Sequence, residues 1–217
     1  MDVDVRNHRY YLNRELSWLQ FNLRVLQEAV DPNNPLLEKL KFLAITSSNL
    51  DEFFMIRVAG LKHQKENGVT RRDIAHMTPA EQLENISDTC QKLVARQYKY
   101  LNMILKELRT EGLYFIHPEE ASDSQKKWMD DYFERQVFPV VTPMAVDSSH
   151  PFPFLASKSL NLALLLERNE RDLSVDEEND IDVKTAIVPV PSVLPRIIRL
   201  PDNPETPGRH DFVLLEQ

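Results

Sequence analysis

Glycine is scarce in this chain, with four residues among 217. Neither glycine-rich phosphate-binding pattern, G-x-x-x-x-G-K-S/T or G-x-G-x-x-G, occurs, so a loop of that kind is excluded. The single cysteine, Cys90, excludes an internal disulfide. The apolar runs are too short to cross a bilayer, and the N-terminus lacks the basic start and apolar core of a signal peptide. We therefore expect a cytoplasmic protein with no transmembrane segment.

Acidic residues outnumber basic ones, and the net charge is −8. The imbalance lies in the second half, since residues 1–110 carry +2 and residues 111–217 carry −10. A chain with this charge is a poor candidate for binding nucleic acid, which needs a basic surface. Much of the negative charge lies in the run Glu167–Asp182, which has the composition of a solvated loop.

Signs of a complete catalytic centre are also missing. Six histidines are scattered, and no two of them have metal-ligand spacing: His8, His63, His76, His117, His150 and His210. No serine has the sequence of a nucleophile elbow. His150 is a weak candidate for a catalytic base, because Asp147 is the only carboxylate near it in sequence. We predict no catalytic residue and no metal ligand in this chain.

Proline distribution and apolar periodicity divide the chain near residue 112. Three prolines precede residue 117 and eleven follow it. Helix start signals, each followed by apolar residues at helical spacing, are Ser17 with Gln20, Asn34-Pro35, Ser48–Asp51 and Thr78–Glu81. The last signal predicts a helix of roughly 50 Å that ends at Gly112. We expect an antiparallel helical bundle over residues 1–112.

The second half changes to the period of β-strands, so residues 113–217 are predicted to form a mixed α/β domain. Predicted strands are Leu113–Ile116, Phe138–Val141, Leu160–Leu166, Thr185–Val190 and Phe212–Leu215. Ser122 with Gln125 predicts the start of an amphipathic helix. The last strand reaches Gln217 without a following partner, which predicts an uncovered sheet edge and a truncated domain. The fold class expected for the whole chain is α+β.

Two segments are candidates for binding. Residues 46–57 place four small polar residues, Thr46 to Asn49, between two apolar helices. Side-chain amide and hydroxyl groups at a helix start suit a planar ligand such as a purine, although a well-capped helix with an Arg57 salt bridge is the alternative. In His150–Phe154, alternating proline and phenylalanine indicate an extended backbone, most simply a buried or interface-forming approach to a strand.

Four ordered motifs make the sequence similar to the polyphosphate kinase family, the bacterial enzymes of the first type. They are E-L-S-W-L-x-F-N-x-R-V-L-x-E-A at 15–29, P-L-x-E-x-x-x-F-L at 35–43, S-N-L-D-E-F at 48–53, and V-T-P-x-A-V-D-x-x-H-P-F-P-F at 141–154. The resemblance runs from about Tyr11 to Glu216. It covers the helical N-terminal domain of these enzymes and the beginning of their head domain.

The resemblance implies an activity for the intact protein. Family members reversibly transfer the terminal phosphate of ATP to inorganic polyphosphate through a phosphohistidine, with magnesium. The two catalytic histidines and the metal site belong to parts of the family sequence that this chain does not match, so no histidine here inherits those roles. The position of Asn49 implies a contact with the ATP nucleotide, and Leu50 and Phe53 are expected to flank the base. The head domain implies a homo-oligomer.

A non-enzymatic function is the alternative hypothesis from the sequence. A helical bundle, in a chain whose C-terminus forms an apolar edge, is also typical of an interaction or oligomerisation module. Such a module would capture a partner without responding to nucleotide, whereas the nucleotide-side portion of a polyphosphate kinase would respond to ATP through Asn49.

Overall fold

The computed structural model describes residues 7–146, 150–166 and 184–217. Contacts between residues divide the chain into two compact units, Met1–Glu111 and Gly112–Gln217. The acidic run Glu167–Asp182, predicted to be a loop, lies outside the described residues. The combination of a helical unit with a unit containing two small sheets confirms the α+β class.

The described residues of the first unit contain four α-helices: α1 Arg14–Glu28, α2 Leu36–Phe53, α3 Ala59–Glu66 and α4 Pro79–Thr110. Two side-chain contacts join α1 to α2. Trp18 stacks on Phe53, and Asn49 donates a hydrogen bond to Asn22. Residue numbers rise along α1 as they fall along α2, so these two helices are antiparallel. The pairs Lys39–Glu107 and Leu43–Gln97 give the same orientation for α2 and α4. The predicted antiparallel bundle is therefore present, and its core includes Leu19, Leu26, Ile86, Ile104 and Leu108.

The start of α4 is the strongest of the sequence signals and is confirmed. The Glu81 carboxylate accepts a hydrogen bond from the Thr78 backbone N–H at 2.7 Å, and the Thr78 hydroxyl accepts one from the Glu81 N–H at 3.3 Å. Pro79 occupies the first helical position, where its missing N–H costs nothing. The 32-residue helix is about 48 Å long. Its last turn is followed by Gly112, which has a φ of +80°.

Two predicted helix starts are wrong. Helix α1 begins at Arg14, because the Asn13 side chain accepts the Leu16 N–H at 2.9 Å and caps the helix before Ser17. Helix α2 continues through Ser48–Asp51, which lie inside it. Its buried face continues from Leu43 through Thr46 and Leu50 to Phe53, and that packing outweighs the small helix preference of serine and asparagine. A π-helical segment, Phe54–Val58, then joins α2 to α3.

The described residues of the second unit form one α-helix and two three-stranded sheets. The strands are β1 Leu113–Phe115, β2 Met144–Val146, β3 Asn161–Leu166, β4 Lys184–Pro189, β5 Ile197–Arg199 and β6 His210–Leu214. The first sheet has the order β1-β6-β5, with β6 parallel to β1 and antiparallel to β5. The second sheet, β2-β4-β3, is antiparallel throughout. Helix α5, Asp123–Tyr132, starts at the predicted Ser122–Gln125 capping box.

Two predictions for this unit are corrected. The last strand is not an uncovered edge, because β6 is the central strand of its sheet and has a partner on each side. Residues 138–140 form a 3₁₀ turn where a strand was predicted. Pro139 lacks the N–H that a paired strand would donate there, and a π-helical segment, Phe133–Val137, leads directly into the turn. The short strands β2 and β5 were not predicted.

A core between α5 and the first sheet holds this unit together. Ile116, Ala121, Ile198, Leu200 and Val213 are buried there. Gln125 joins helix and sheet, because its buried side-chain amide donates to the Pro201 carbonyl at 2.9 Å and to the Asp211 carboxylate at 3.1 Å. No helix in the described part of the chain has the length and apolar composition needed to cross a membrane.

Candidate functional site

Asn49 lies in the last third of α2 and not at its start. Its side chain is half-buried and faces α1, where its Nδ2 donates a hydrogen bond of 2.9 Å to Oδ1 of Asn22. Within the described residues, this is the one side-chain hydrogen bond that Asn49 makes. Its amide therefore has a nitrogen end that is held by the protein and an oxygen end that is available to a ligand.

A buried relay supports this amide. Asn22 is fully buried, and its Nδ2 donates to the backbone carbonyl of Thr46 at 3.1 Å. The Thr46 side chain is also fully buried and donates its hydroxyl to the Phe42 carbonyl at 2.8 Å. The hydrogen bonds thus run in one direction, from Asn49 through Asn22 to the backbone of α2.

Three aromatic rings, those of Trp18, Phe53 and Phe54, lie one helical turn away from Asn22 and Asn49. Trp18 stacks on Phe53 with ring centroids 4.6 Å apart and an interplanar angle of 7°. Phe54 meets the Phe53 ring edge-on at 6.0 Å. Phe53 and Leu50 are 3% and 8% exposed, so both are core residues of the helical unit, whereas Trp18 is half-buried. Contact of Leu50 and Phe53 with a base stays a prediction.

The structure adds two residues to this site that the sequence argument did not single out, Trp18 and Asn22. Both belong to the segment E-L-S-W-L-x-F-N, and they lie four residues apart on the α1 face that contacts α2. A polar residue one turn after an aromatic, between the buried Leu19 and Leu26, was the signal available in the sequence. The alternative interpretation of this segment included an Arg57 salt bridge. Arg57 is exposed and forms no ion pair among the described residues.

Among the described residues, titratable groups with shifted pKa values do not gather at one place. Hydrogen bonds from the Thr78 backbone and side chain lower the pKa of Glu81, and a hydrogen bond from Arg196 lowers the pKa of Glu216. Hydrogen bonds from His210 and Arg199 lower the pKa of Asp202. Burial raises the pKa of the Cys90 thiol to about 11, which suits an unreactive core residue. In the described ranges, no three His, Cys, Asp or Glu residues are grouped so as to hold a metal ion.

The second unit contains an apolar cavity of about 880 Å³. Its walls come from α5, the turn after it and both sheets, and include Trp128, Phe133, Phe138, Leu162, Leu164 and Val213. The His150–Phe154 segment is exposed, with Phe152 at 64% and Phe154 fully accessible, so a buried approach to a strand is the wrong interpretation. His150 is also exposed, and its candidate neighbour Asp147 lies outside the described residues.

Two family models match the chain in order. The first, described as the polyphosphate kinase N-terminal domain, matches residues 11–116, and the second, described as the polyphosphate kinase middle domain, matches residues 124–217. Together they leave only short segments of the chain unmatched.

Relatives of known sequence and structure agree with these matches. The chain is 48% identical over 217 residues to a polyphosphate kinase of Halalkalibacterium halodurans, covering 99% of this chain and 29% of that protein. It is 47% identical over 206 residues to one of Thermosynechococcus vestitus, covering 94% of this chain and 27% of that protein. The crystal structure of polyphosphate kinase from Porphyromonas gingivalis matches 94% of this chain and 28% of its own, with a TM-score of 0.76 and 28% identity.

Proposed function

The chain belongs to the polyphosphate kinase family, and we propose that it forms the nucleotide-side portion of an enzyme that reversibly transfers the terminal phosphate of ATP to inorganic polyphosphate. It spans under a third of the length of the relatives it matches, 29% and 27% in two of them. We assign residues 1–112 to the helical N-terminal domain and residues 113–217 to part of the head domain.

The observation that supports this role is the oriented amide of Asn49. A base needs a planar group with a hydrogen-bonding edge, and Asn49 offers one from a half-buried position. The amide is fixed by a fully buried partner, so little conformational entropy is lost when a ligand binds. The half-buried Trp18 ring, one turn away, supplies an apolar surface of the kind that purines contact.

Transfer of the phosphoryl group requires several cations around the triphosphate. We propose that the histidine that forms the phosphohistidine, the second catalytic histidine and the groups that hold magnesium lie on polypeptide other than residues 1–217. In that arrangement, a histidine nitrogen bonds the terminal phosphorus of ATP as the bond to the bridging oxygen breaks and ADP leaves. The nitrogen–phosphorus bond then breaks as a terminal oxygen of polyphosphate bonds the phosphorus. Residues 1–112 hold the nucleoside end of ATP and so keep its terminal phosphate next to the catalytic histidine.

We further propose that the protein is cytoplasmic and assembles as a homo-oligomer through the head domain. The apolar cavity of the second unit and the exposed Phe152 and Phe154 supply surface that an interface would bury. The same surface favours the second candidate function, an interaction module without enzymatic activity. The two candidates differ in their response to ATP.

The test is a comparison of the full-length protein with its Asn49→Ala variant in an assay of ATP-dependent polyphosphate synthesis. A neutral hydrogen bond is worth about 0.5–1.5 kcal/mol, so the KM for ATP is expected to rise roughly two- to tenfold. Asn102→Ala is the matched control, because Asn102 is an exposed amide on α4. Residues 1–217 alone are expected to give no synthesis.

Two results would contradict the proposal. Robust synthesis by residues 1–217 alone would show that the catalytic groups lie within them. Identical KM values for the wild type, Asn49→Ala and Asn102→Ala would remove Asn49 from the nucleotide site. Failure of the full-length protein to respond to ATP at all, together with self-association, would favour the interaction module.

A further inference from the structure

Asn22 is a fully buried residue of α1 that accepts a hydrogen bond from the Asn49 amide. We infer that Asn22 is a positioning residue that holds the Asn49 amide with its carbonyl outward, so that the site selects purines with a 6-amino group over 6-oxo purines. This inference rests on the proposed function, because it requires Asn49 to contact the base.

The orientation follows from the chemistry of the relay. A backbone carbonyl can only accept a hydrogen bond, so the atom of Asn22 that lies 3.1 Å from the Thr46 carbonyl oxygen must be the amide nitrogen. Oδ1 of Asn22 therefore faces Asn49, and it too can only accept. The atom of Asn49 that lies 2.9 Å away must then be Nδ2. The direction of both asparagines is set by the backbone of α2.

Neither side-chain amide, of Asn22 or of Asn49, can rotate by half a turn without losing a hydrogen bond. Rotation of the Asn22 amide would place its oxygen against the Thr46 carbonyl oxygen, in a position that water does not reach, since Asn22 and Thr46 are both fully buried. Rotation of the Asn49 amide would bring two carbonyl oxygens together and leave Oδ1 of Asn22 without a donor. The Thr46 hydroxyl cannot donate to a rotated Asn22 amide, because it already donates to the Phe42 carbonyl.

The outward carbonyl determines which base edge fits. The 6-amino group of adenine donates a hydrogen bond, and asparagine pairs with adenine by accepting from that group and donating to the adjacent ring nitrogen. Guanine and hypoxanthine carry an oxygen at the same position, which would oppose the Asn49 carbonyl. ATP and ITP differ at this edge, so they test the orientation directly.

The experiment measures KM for ATP and for ITP with the full-length protein. In the wild type, KM for ITP is expected to be at least about tenfold higher, which corresponds to about 1.4 kcal/mol. Asn22→Leu removes both hydrogen bonds at similar volume and frees Asn49 to turn, so the ITP/ATP ratio should fall to about one. Asn22→Asp is the conservative control, because burial favours its protonated form. The hydroxyl of that form donates to the Thr46 carbonyl while the other oxygen accepts from Asn49, so the ratio should stay near the wild-type value.

The ratio separates positioning from a structural role. A variant that is only less stable lowers kcat for both nucleotides in the same proportion and leaves the ratio of KM values unchanged. A ratio near one in the wild type, a ratio that is unchanged in Asn22→Leu, or a ratio that collapses in Asn22→Asp would each overturn the inference.

Three further outcomes are decisive. Should neither Asn22 variant fold, Asn49→Ala decides: the loss of a tenfold preference supports an outward carbonyl, and a retained preference overturns it. Should Asn49→Ala leave KM for ATP unchanged, the proposed function fails. If Asn49→Ala raises KM for ATP but the wild type has equal KM values for ATP and ITP, only the role of Asn22 fails.

Discussion

The backbone carbonyl oxygen of Gly208 lies 2.5 Å from the position that a Cβ atom on Gly112 would occupy. Next to this close approach, the N–H of His210 donates to the Gly112 carbonyl at 2.8 Å and begins the pairing of β1 with β6. Gly112 also has a φ of +80°. Glycine is therefore required at position 112 for two separate reasons, space and backbone conformation.

Gly112→Ala is expected to destabilise the second unit more than Gly208→Ala. Both glycines have φ near +80°, so both variants incur about 1–2 kcal/mol of left-handed strain. A Cβ on Gly208 meets no atom within 4 Å, whereas one on Gly112 meets backbone and adds about 1–3 kcal/mol of overpacking. Urea unfolding of the two variants measures the difference. Equal losses in free energy of unfolding would show that the backbone at Gly208 moves away from position 112 at little cost.

Thr78→Ala is expected to lower the free energy of unfolding of the helical unit by about 1 kcal/mol, because it removes the cap of α4. Ser17→Ala is the matched control. Ser17 resembles a cap in the sequence but lies exposed inside α1, so its replacement should change stability by less than about 0.5 kcal/mol. Thermal or urea unfolding gives both values. The reverse ranking would mean that Asn13 does not cap α1.

Acid should weaken the same cap. The Thr78 backbone N–H, the Thr78 hydroxyl and Arg72 lower the pKa of Glu81 below its ordinary value of 4.5. A lowered pKa contributes stability that is present above pH 4.5 and lost as the pH falls through the folded-state pKa. The difference in free energy of unfolding between the wild type and Glu81→Gln should therefore shrink as the pH falls below 4.5. Urea titrations at several pH values test this, and a constant difference would contradict it.

Phe53→Ala is expected to cost about 3–5 kcal/mol, because Phe53 is buried and stacks on Trp18. Phe54 is the matched control, since it is the next residue and is 44% exposed. Phe54→Ala should cost less than about half as much. Unfolding followed by Trp18 and Trp128 fluorescence gives both values. Similar costs would show that the Trp18–Phe53 stack contributes little.

Local signals predicted a large part of the fold. The capping boxes at Thr78 and Ser122 are each complete within four residues, so the sequence identifies the starts of α4 and α5 without tertiary information. Strand β3 and most of β4 were also predicted, because their apolar runs are long enough to show strand character. The helical signal at Ser48–Asp51 failed because tertiary packing of α2 on α1 and α4 overrides a local start signal.

Pairing between distant segments was not predictable. Strands β2 and β5 have three residues each, and they are strands only because β4 and β6 lie beside them. For the candidate site, the motif identified Asn49. Its partner Asn22 is 27 residues earlier, and only the antiparallel packing of α1 and α2 brings the two together. The direction of that hydrogen bond depends on the Thr46 carbonyl, which no sequence pattern displays.

The central position of β6 has a consequence for biosynthesis. Leu113 of β1 pairs with His210, and Ile197 of β5 pairs with Leu214, so both neighbours leave the ribosome before the strand that joins them. Until β6 is translated, β1 and β5 have no partner in this sheet, and their unpaired edges are open to other chains. The first sheet therefore pairs only after β6 has been translated.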